Sequence, residues 1–179
     1  MLDNVRHDAA RMREAKTKPF PWYVVESLLL DNGFQAVVLH RVAHWFKRRR
    51  IPFLGPFFAR LNLFLTGVDI GPGAEIGPGL RISHGTGLVV GGYARIGARA
   101  LLLHEVTIGS PSHGRVREMP VIGDDVFVGA GAKLIGAIHV GDRVAVGSNA
   151  VVMQDVPSDS RVVAKVTLEI EPRGRGAAG

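Results

Sequence analysis

From Thr66 onward, aliphatic residues recur every six positions. Ile70, Ile76 and Ile82 lead the first hexads, and Val90, Ile96, Leu102 and Ile108 continue the spacing after a displacement of two residues. A second unbroken series runs through Ile122, Val128, Leu134, Val140, Val146 and Val152. Small or β-branched residues stand two positions ahead of these leaders, at Val126, Ala132, Ile138, Val144 and Ala150. Neither the helical period nor simple alternation produces this pattern. A fixed hexapeptide predicts a parallel β-helix, each hexad being one short strand and a turn. Three hexads close a triangular coil whose leaders point into a narrow stacked core.

Ahead of Thr66 the spacing is three and four. Val37, Val38, Val42, Trp45 and Phe46 are predicted to share one helix face. Asn32-Gly33 breaks two helical pieces, and a third short helix runs through "GPFFARLNLFL". The chain is therefore expected to be mainly β, with an α-helical N-terminal cap over 1–66, a β-helix over 67–168 and a flexible tail over 169–179. "SPSHGRVREMP" (Ser110 to Pro120) contains no leader and reads as a loop thrown out between two coils. Loops of this length are functional or disordered, and this one is long enough to reach a neighbouring subunit.

Composition narrows the chemistry. The 179 residues include no cysteine, which excludes a disulfide, a thiolate metal site and a thiol nucleophile, and fits a cytoplasmic location. The first twenty residues are charged and lack the apolar core of a signal peptide. No run reaches the roughly 20 apolar residues of a membrane span. The net charge of +6 invites a polyanion, but "KRRR" (Lys47 to Arg50) ends a helical stretch, where cations meet the negative end of the helix dipole. That cluster reads first as a solvated helix end, with a membrane-surface or polyanionic contact as the alternative. Nucleic acid is not expected, because aromatics are not interleaved with the basic residues. No histidine cluster has ligand spacing, so no metal is expected.

The register slip falls inside "GLRISHGTGLVVGG", around His84. Taken alone, His84 is a surface imidazole at a coil corner and Asp69 a turn-capping carboxylate. Their surroundings add to this. "GFQAVVLHRVAHWF", "VDIGPGAEIG", "ISHGTGLVVG", "VTIG", a loop and "VIGDDVFVGAGAKLIGAIHVGDRVAVGSNAVV" together resemble the serine O-acetyltransferases, over roughly Gly33 to Val156. That family belongs to the left-handed β-helix acyltransferases. The resemblance implies acetyl transfer from acetyl-CoA to a hydroxyl by a homotrimer or a dimer of trimers. His84 matches the family's general base and Asp69 the carboxylate that orients it. The chemistry needs both, since an alcohol is a weak nucleophile toward a thioester until a base near neutral pKa takes its proton. A carboxylate on the other ring nitrogen fixes the tautomer and stabilises the imidazolium. The family holds CoA in a groove between adjacent β-helices, largely by backbone groups. Gly109, Gly129, Ala130, Gly131, Ala132 and Gly147 match that stretch, with Lys133 and Lys165 as cations for its phosphates. Tight coil sterics account for the same glycines equally well.

The acceptor side departs from the family pattern. Ser83 replaces an aspartate before the histidine, and Glu118 and Met119 replace an arginine and a second histidine. Lys18 stands where the cap has an aspartate. Those losses leave an amino acid's charges poorly compensated. The acceptor is then serine or another small hydroxyl compound. His113, in the loop, is a candidate for the missing imidazole. His104 reads as a solvated corner or a trimer-interface residue, and His139 as an ordinary outward position. The end "RGRGAAG" lacks the terminal isoleucine of family members that dock into cysteine synthase, so no such complex is expected. Two other readings stay open: O- or N-acetylation of a sugar or natural-product intermediate, and a non-catalytic trimeric scaffold. Retention of His84 and Asp69 argues against the scaffold.

Overall fold

The computed structural model describes residues 2–13 and 22–165. Lys18 and the 169–179 segment lie outside them. Each hexad leader sits in a strand of two or three residues: β1 (Asp69–Ile70), β2 (Glu75–Ile76), β3 (Arg81–Ile82), β4 (Val89–Val90), β5 (Arg95–Ile96), β6 (Leu101–Leu102), β7 (Thr107–Gly109), β8 (Val121–Ile122), β9 (Phe127–Val128), β10 (Lys133–Ile135), β11 (His139–Val140), β12 (Ala145–Val146), β13 (Val151–Val152) and β14 (Arg161–Val162). Strands three apart in the chain stack in parallel, with β14 following β12 as the one exception among the described strands, so three sheets wall a left-handed β-helix. Sheet A is β1-β4-β7-β10-β13, sheet B is β2-β5-β8-β11, and sheet C is β3-β6-β9-β12-β14. The leaders and the small residues ahead of them fill one continuous core.

Registers locate the irregularities. Val89 pairs with Thr107, and Lys133 with Val151, each a step of three hexads. Asp69 to Val89 is two residues longer, and the excess falls in the turn 83–88 that joins sheet C to sheet A. Thr107 to Lys133 is eight residues longer, the excess being the loop 110–120 between sheets A and B. That loop carries a short 3-10 turn, His113–Arg115.

Two of the three corners run through left-handed backbone. At the B–C corner, Gly79, Arg99, Asp125, Arg143 and Asp159 all have φ between 54° and 77°. Arg99 Nε donates to Asp125 Oδ1 at 2.7 Å, and Arg143 Nε to Asp159 Oδ1 at 2.6 Å. At the C–A corner the matching column is Gly67, Gly87, Glu105, Gly131 and Asn149, its members joined by bonds such as Gly87 N to Gly67 O at 2.9 Å.

Four helices precede the coils: α1 (Leu2–Arg13), α2 (Trp22–Leu30), α3 (Asn32–Arg48) and α4 (Leu54–Thr66). Asp31 caps α3, its side chain accepting from Phe34 N at 3.1 Å, and so makes the break before Asn32. Lys47 and Arg48 occupy the last turn of α3. The buried face of α3 differs from the one its apolar pattern predicts. Gly33, Phe34, Ala36, Val37, His40, Arg41 and Ala43 are buried, whereas Trp45 is exposed and Phe46 stacks on Phe58 of α4 at 5.4 Å. Small residues let the helix backbone approach the first coil: a Cβ on Gly33 would overlap the Ile82 carbonyl oxygen. Arg41 is drawn inward by Asp8, with Nε–Oδ2 at 3.0 Å and both side chains buried. Arg41 also donates to the Ile76 and Gly77 carbonyls, while Asp8 Oδ1 accepts from Gly79 N at 2.7 Å and Leu80 N at 2.9 Å. One charged pair thus fastens α1 and α3 to the start of the β-helix.

Candidate functional site

The inserted turn carries His84. Its φ of 55° makes it a second left-handed residue in a turn whose regular corner residue is Gly87. A non-glycine residue there costs about 1–2 kcal/mol, and the surroundings hold it in place. Gly33 of α3 abuts Ile82, immediately before Ser83. A Cβ on Gly85 would meet the Ile82 and Val68 methyls at 2.6 and 2.8 Å. Ser83 N donates to Leu102 O at 2.9 Å, and Leu88 N to Gly85 O at 3.0 Å. The turn is therefore clamped between the start of α3 and the α4–β1 junction, and His84 projects from it exposed.

Asp69 lies on β1, two residues past Gly67, the residue that accepts the Gly87 N–H across this corner. Its side chain is exposed. Among the described residues, neither the His84 imidazole nor the Asp69 carboxylate has a side-chain hydrogen bond within the protomer. Both are free to engage a substrate or each other. Register places Asp69, Val89, Thr107 and Lys133 in one outward row of sheet A. Lys133 is three strand steps from Asp69, roughly 14 Å at ordinary strand spacing. Its Nζ donates to the Glu105 carbonyl at 2.5 Å.

Among the described residues, those expected on the acceptor side do not come together in one protomer. Ser83 stands beside His84 at the C–A corner, half-buried. Glu118 and Met119 belong to the loop at the A–B corner, across the width of sheet A. Arg115 Nη1 donates to Glu118 Oε2 at 3.3 Å, Met119 packs over Gly91, and the Arg117 guanidinium lies 5.6 Å from the Tyr93 ring centre. These contacts hold the loop against its own corner, and His113 is exposed within it.

The glycine-rich turns divide into two groups. A Cβ on Gly129 would meet Ser148 N at 2.7 Å, and one on Gly147 the Val162 carbonyl at 3.0 Å; at Gly131 it would meet Asn149 Oδ1. Coil stacking alone therefore demands glycine at Gly129, left-handed backbone (φ 71°) favours it at Gly131, and Gly147 is only tightly packed. Ala132 is fully buried and its N–H donates to Gly129 O, so it serves the core. Gly109 is different, with only ordinary contacts around it, and its carbonyl accepts from Gly136 N at 2.9 Å. Gly136 is a residue that sequence reasoning misses. It is buried with φ of 94°, yet a Cβ there would meet nothing within 4 Å, which leaves space beside the end of β10 next to Gly109. Its one sequence signal is displacement: Ile135 follows the leader Leu134 where most leaders are followed by glycine, and Gly136 comes one place later. Ala130 is half-buried and Lys165 exposed.

Three other histidines occupy different settings. His104 is half-buried rather than solvated, because Glu105 N and Gly131 N tie its turn to the coils on either side, and its Nδ1 is inaccessible without a partner. His139 is exposed, 4.0 Å from Asp155. His40 is buried under α3 with both ring nitrogens unpartnered, and burial, helped by Arg41 and His44, pushes its pKa down to about 3. A cleft of about 1480 Å³ separates the end of α3 from sheet B, lined by Arg48, Arg50, Glu75, Tyr93 and Arg95 among others. It contains neither His84 nor Asp69. No group of three potential metal-ligating side chains occurs among the described residues. No helix there is long and apolar enough to cross a membrane.

Comparison with known proteins adds to this geometry. The family model "Bacterial transferase hexapeptide (six repeats)" matches residues 119–154. A serine acetyltransferase of Helicobacter pylori (strain ATCC 700392 / 26695) is 44% identical over 138 residues, covering 77% of this chain and 81% of the relative. A serine acetyltransferase of Synechococcus elongatus is 44% identical over 139 residues, covering 78% of this chain and 57% of its own length. Among solved structures, Neisseria gonorrhoeae serine acetyltransferase in complex with serine superposes with a TM-score of 0.82 at 34% identity, covering 92% of this chain and 66% of that one. The chain thus spans a little over half of the Synechococcus relative and about two thirds of the Neisseria protein.

Proposed function

The chain belongs to the serine acetyltransferase family, and from that premise we propose that it transfers the acetyl group of acetyl-CoA to the hydroxyl of serine or another small hydroxyl compound. His84 is the general base and Asp69 its orienting carboxylate. The observation that carries this reading is the two-residue insertion, which holds an exposed histidine in left-handed backbone beside the strand bearing Asp69. In the reaction the acceptor oxygen attacks the thioester carbonyl carbon as His84 takes the hydroxyl proton. The tetrahedral intermediate collapses with cleavage of the carbon–sulfur bond, and the imidazolium returns the proton to the departing sulfur. An O-acetyl ester and free CoA result.

The separation of the loop from His84 favours a homotrimer. Glu118, Met119 and His113 sit at the opposite edge of sheet A from His84, so a second copy is what would bring such a loop to the acceptor. Ser83, Glu118, Met119 and Lys18 then stand as the altered acceptor residues, with His113 as the candidate imidazole. For acetyl-CoA, Gly109, Gly129, Ala130, Gly131, Ala132 and Gly147 are the backbone candidates and Lys133 and Lys165 the cations, and the close coil packing at Gly129, Gly131 and Gly147 is compatible with that role. The cysteine-free composition supports a cytoplasmic location.

The test is CoA release from acetyl-CoA in the presence of L-serine, homoserine or a sugar alcohol, with wild type and His84→Ala. Acceptor-dependent release with L-serine, lost in the variant, is the expected result. Release that is independent of every acceptor, or unchanged in His84→Ala, would overturn the proposal.

A further inference from the structure

The outer face of α4 carries none of the residues assigned above to acetyl transfer, and its chemistry is distinctive. Phe53 and Phe64 are each 84% exposed, Phe57 58% and Leu65 57%. Residues 57 and 64 are two turns apart and share one face. Phe53 caps the helix in left-handed backbone, φ 66°, with its ring held outward. An aromatic chain continues inward from this face, Phe57 meeting Phe58 edge-on and Phe58 stacking on Phe46, which touches Trp45.

Cations adjoin this helix. Lys47, Arg48, Arg49 and Arg50 end α3 just before Phe53, exposed at the rim of the cleft toward sheet B, and Arg60, three residues past Phe57 and four before Phe64, is exposed on the same side of α4. Between Asp31 and Asp69 the chain contains no aspartate or glutamate. An apolar helix face with aromatic residues and flanking cations is the composition of a helix that lies in a lipid interface. A second copy is a poorer occupant, since two such faces meeting would bring these like charges together with no carboxylate of this segment between them.

We propose that the α3–α4 corner is a peripheral docking surface for anionic phospholipid membranes. α4, roughly 20 Å long, lies parallel to the bilayer plane, with the Phe53, Phe57 and Phe64 rings among the acyl chain ends. The Lys47–Arg50 cluster and Arg60 meet the lipid phosphates.

Co-sedimentation of the purified full chain with vesicles tests this, comparing phosphatidylcholine alone with phosphatidylcholine containing about one third phosphatidylserine. Partitioning onto the anionic vesicles is expected to be at least tenfold stronger, and to weaken in about 0.5 M salt as the screening length shortens. Phe53→Ser with Phe64→Ser, and separately Arg49→Gln with Arg50→Gln, should each lower it about tenfold. Thermal melts check that both variants remain folded, and both should keep the wild-type acetyl-transfer rate in vesicle-free buffer. Equal sedimentation with the two vesicle types, or none, would overturn the proposal. So would a larger assembly in ultracentrifugation that the Phe53/Phe64 variant breaks apart, because the face would then belong to another copy of the chain.

Discussion

Two corners of the same triangular coil use left-handed backbone in opposite ways. At the B–C corner, Arg99, Asp125, Arg143 and Asp159 sit in left-handed geometry, and each charge meets an opposite one on the next coil. The Arg99–Asp125 bond keeps the Asp125 carboxyl below its usual range, and Arg143 does the same for Asp159. The column starts at Gly79, where the buried Asp8–Arg41 pair anchors it to the helices. At the C–A corner the regular column is mostly glycine, and the extra left-handed residue is His84, with no side-chain partner among the described residues. One corner uses its polar groups to hold coils together. The other leaves an imidazole unengaged, on a turn fixed by packing from beneath.

The sharpest test of this contrast is His84→Ala. Acetyl transfer should fall by on the order of 10²–10⁴-fold, while the urea midpoint stays within error of wild type. A folding defect of similar size would place His84 with the structural corner instead. Asp8→Ala should do the reverse, costing about 3–5 kcal/mol in chemical unfolding by leaving Arg41 buried and unpaired, with the rate per folded molecule retained.

A buried histidine extends the comparison. His40 has its folded-state pKa lowered to about 3 from an ordinary 6.5. The unfolded chain therefore binds a proton below pH 6.5 that the folded chain refuses until about pH 3. Its contribution is fully present above pH 6.5 and is lost as pH falls through that window, by about 3 kcal/mol between pH 6.5 and 4.5. His40→Leu should remove this component from the pH dependence of unfolding, while His84→Ala should leave it in place. Asp69→Asn should reduce acetyl transfer by on the order of 10²–10⁴-fold through loss of imidazole orientation and tautomer, without changing stability. The smallest effect is expected at Arg143→Gln, a slight fall in melting temperature that added salt erases, because the Asp159 pair is fully exposed.

Much of this is legible in the residues. Hexad leaders from Ile70 to Val152 all face the core, since a β-helix writes each inward position locally and repeats it. His84 and Asp69 stand out because the slip between Ile82 and Val90 and the motif around it are also local. The α3 face is not legible. Val38, Val42, Trp45 and Phe46 satisfy the helical period, but Arg41 is turned inward by Asp8, a residue 33 positions away. Gly136 is hidden among the many glycines of these coils, and only its open surroundings distinguish it. His104 has the sequence context of a solvated corner, and only the coils on either side show that its turn is wedged between them.

By itself the sequence determined the repeating core, the helical region ahead of it and the identity of the exposed imidazole, because each depends on spacing within a few residues. Only the tertiary structure decided which corner each insertion occupies. The two extra residues fall between sheets C and A and the eight extra between A and B, since every inserted length is read against the strands stacked above and below it. That assignment sets His84 and the 110–120 loop at opposite edges of sheet A. No local pattern encodes the separation, which arises from the closure of the coil.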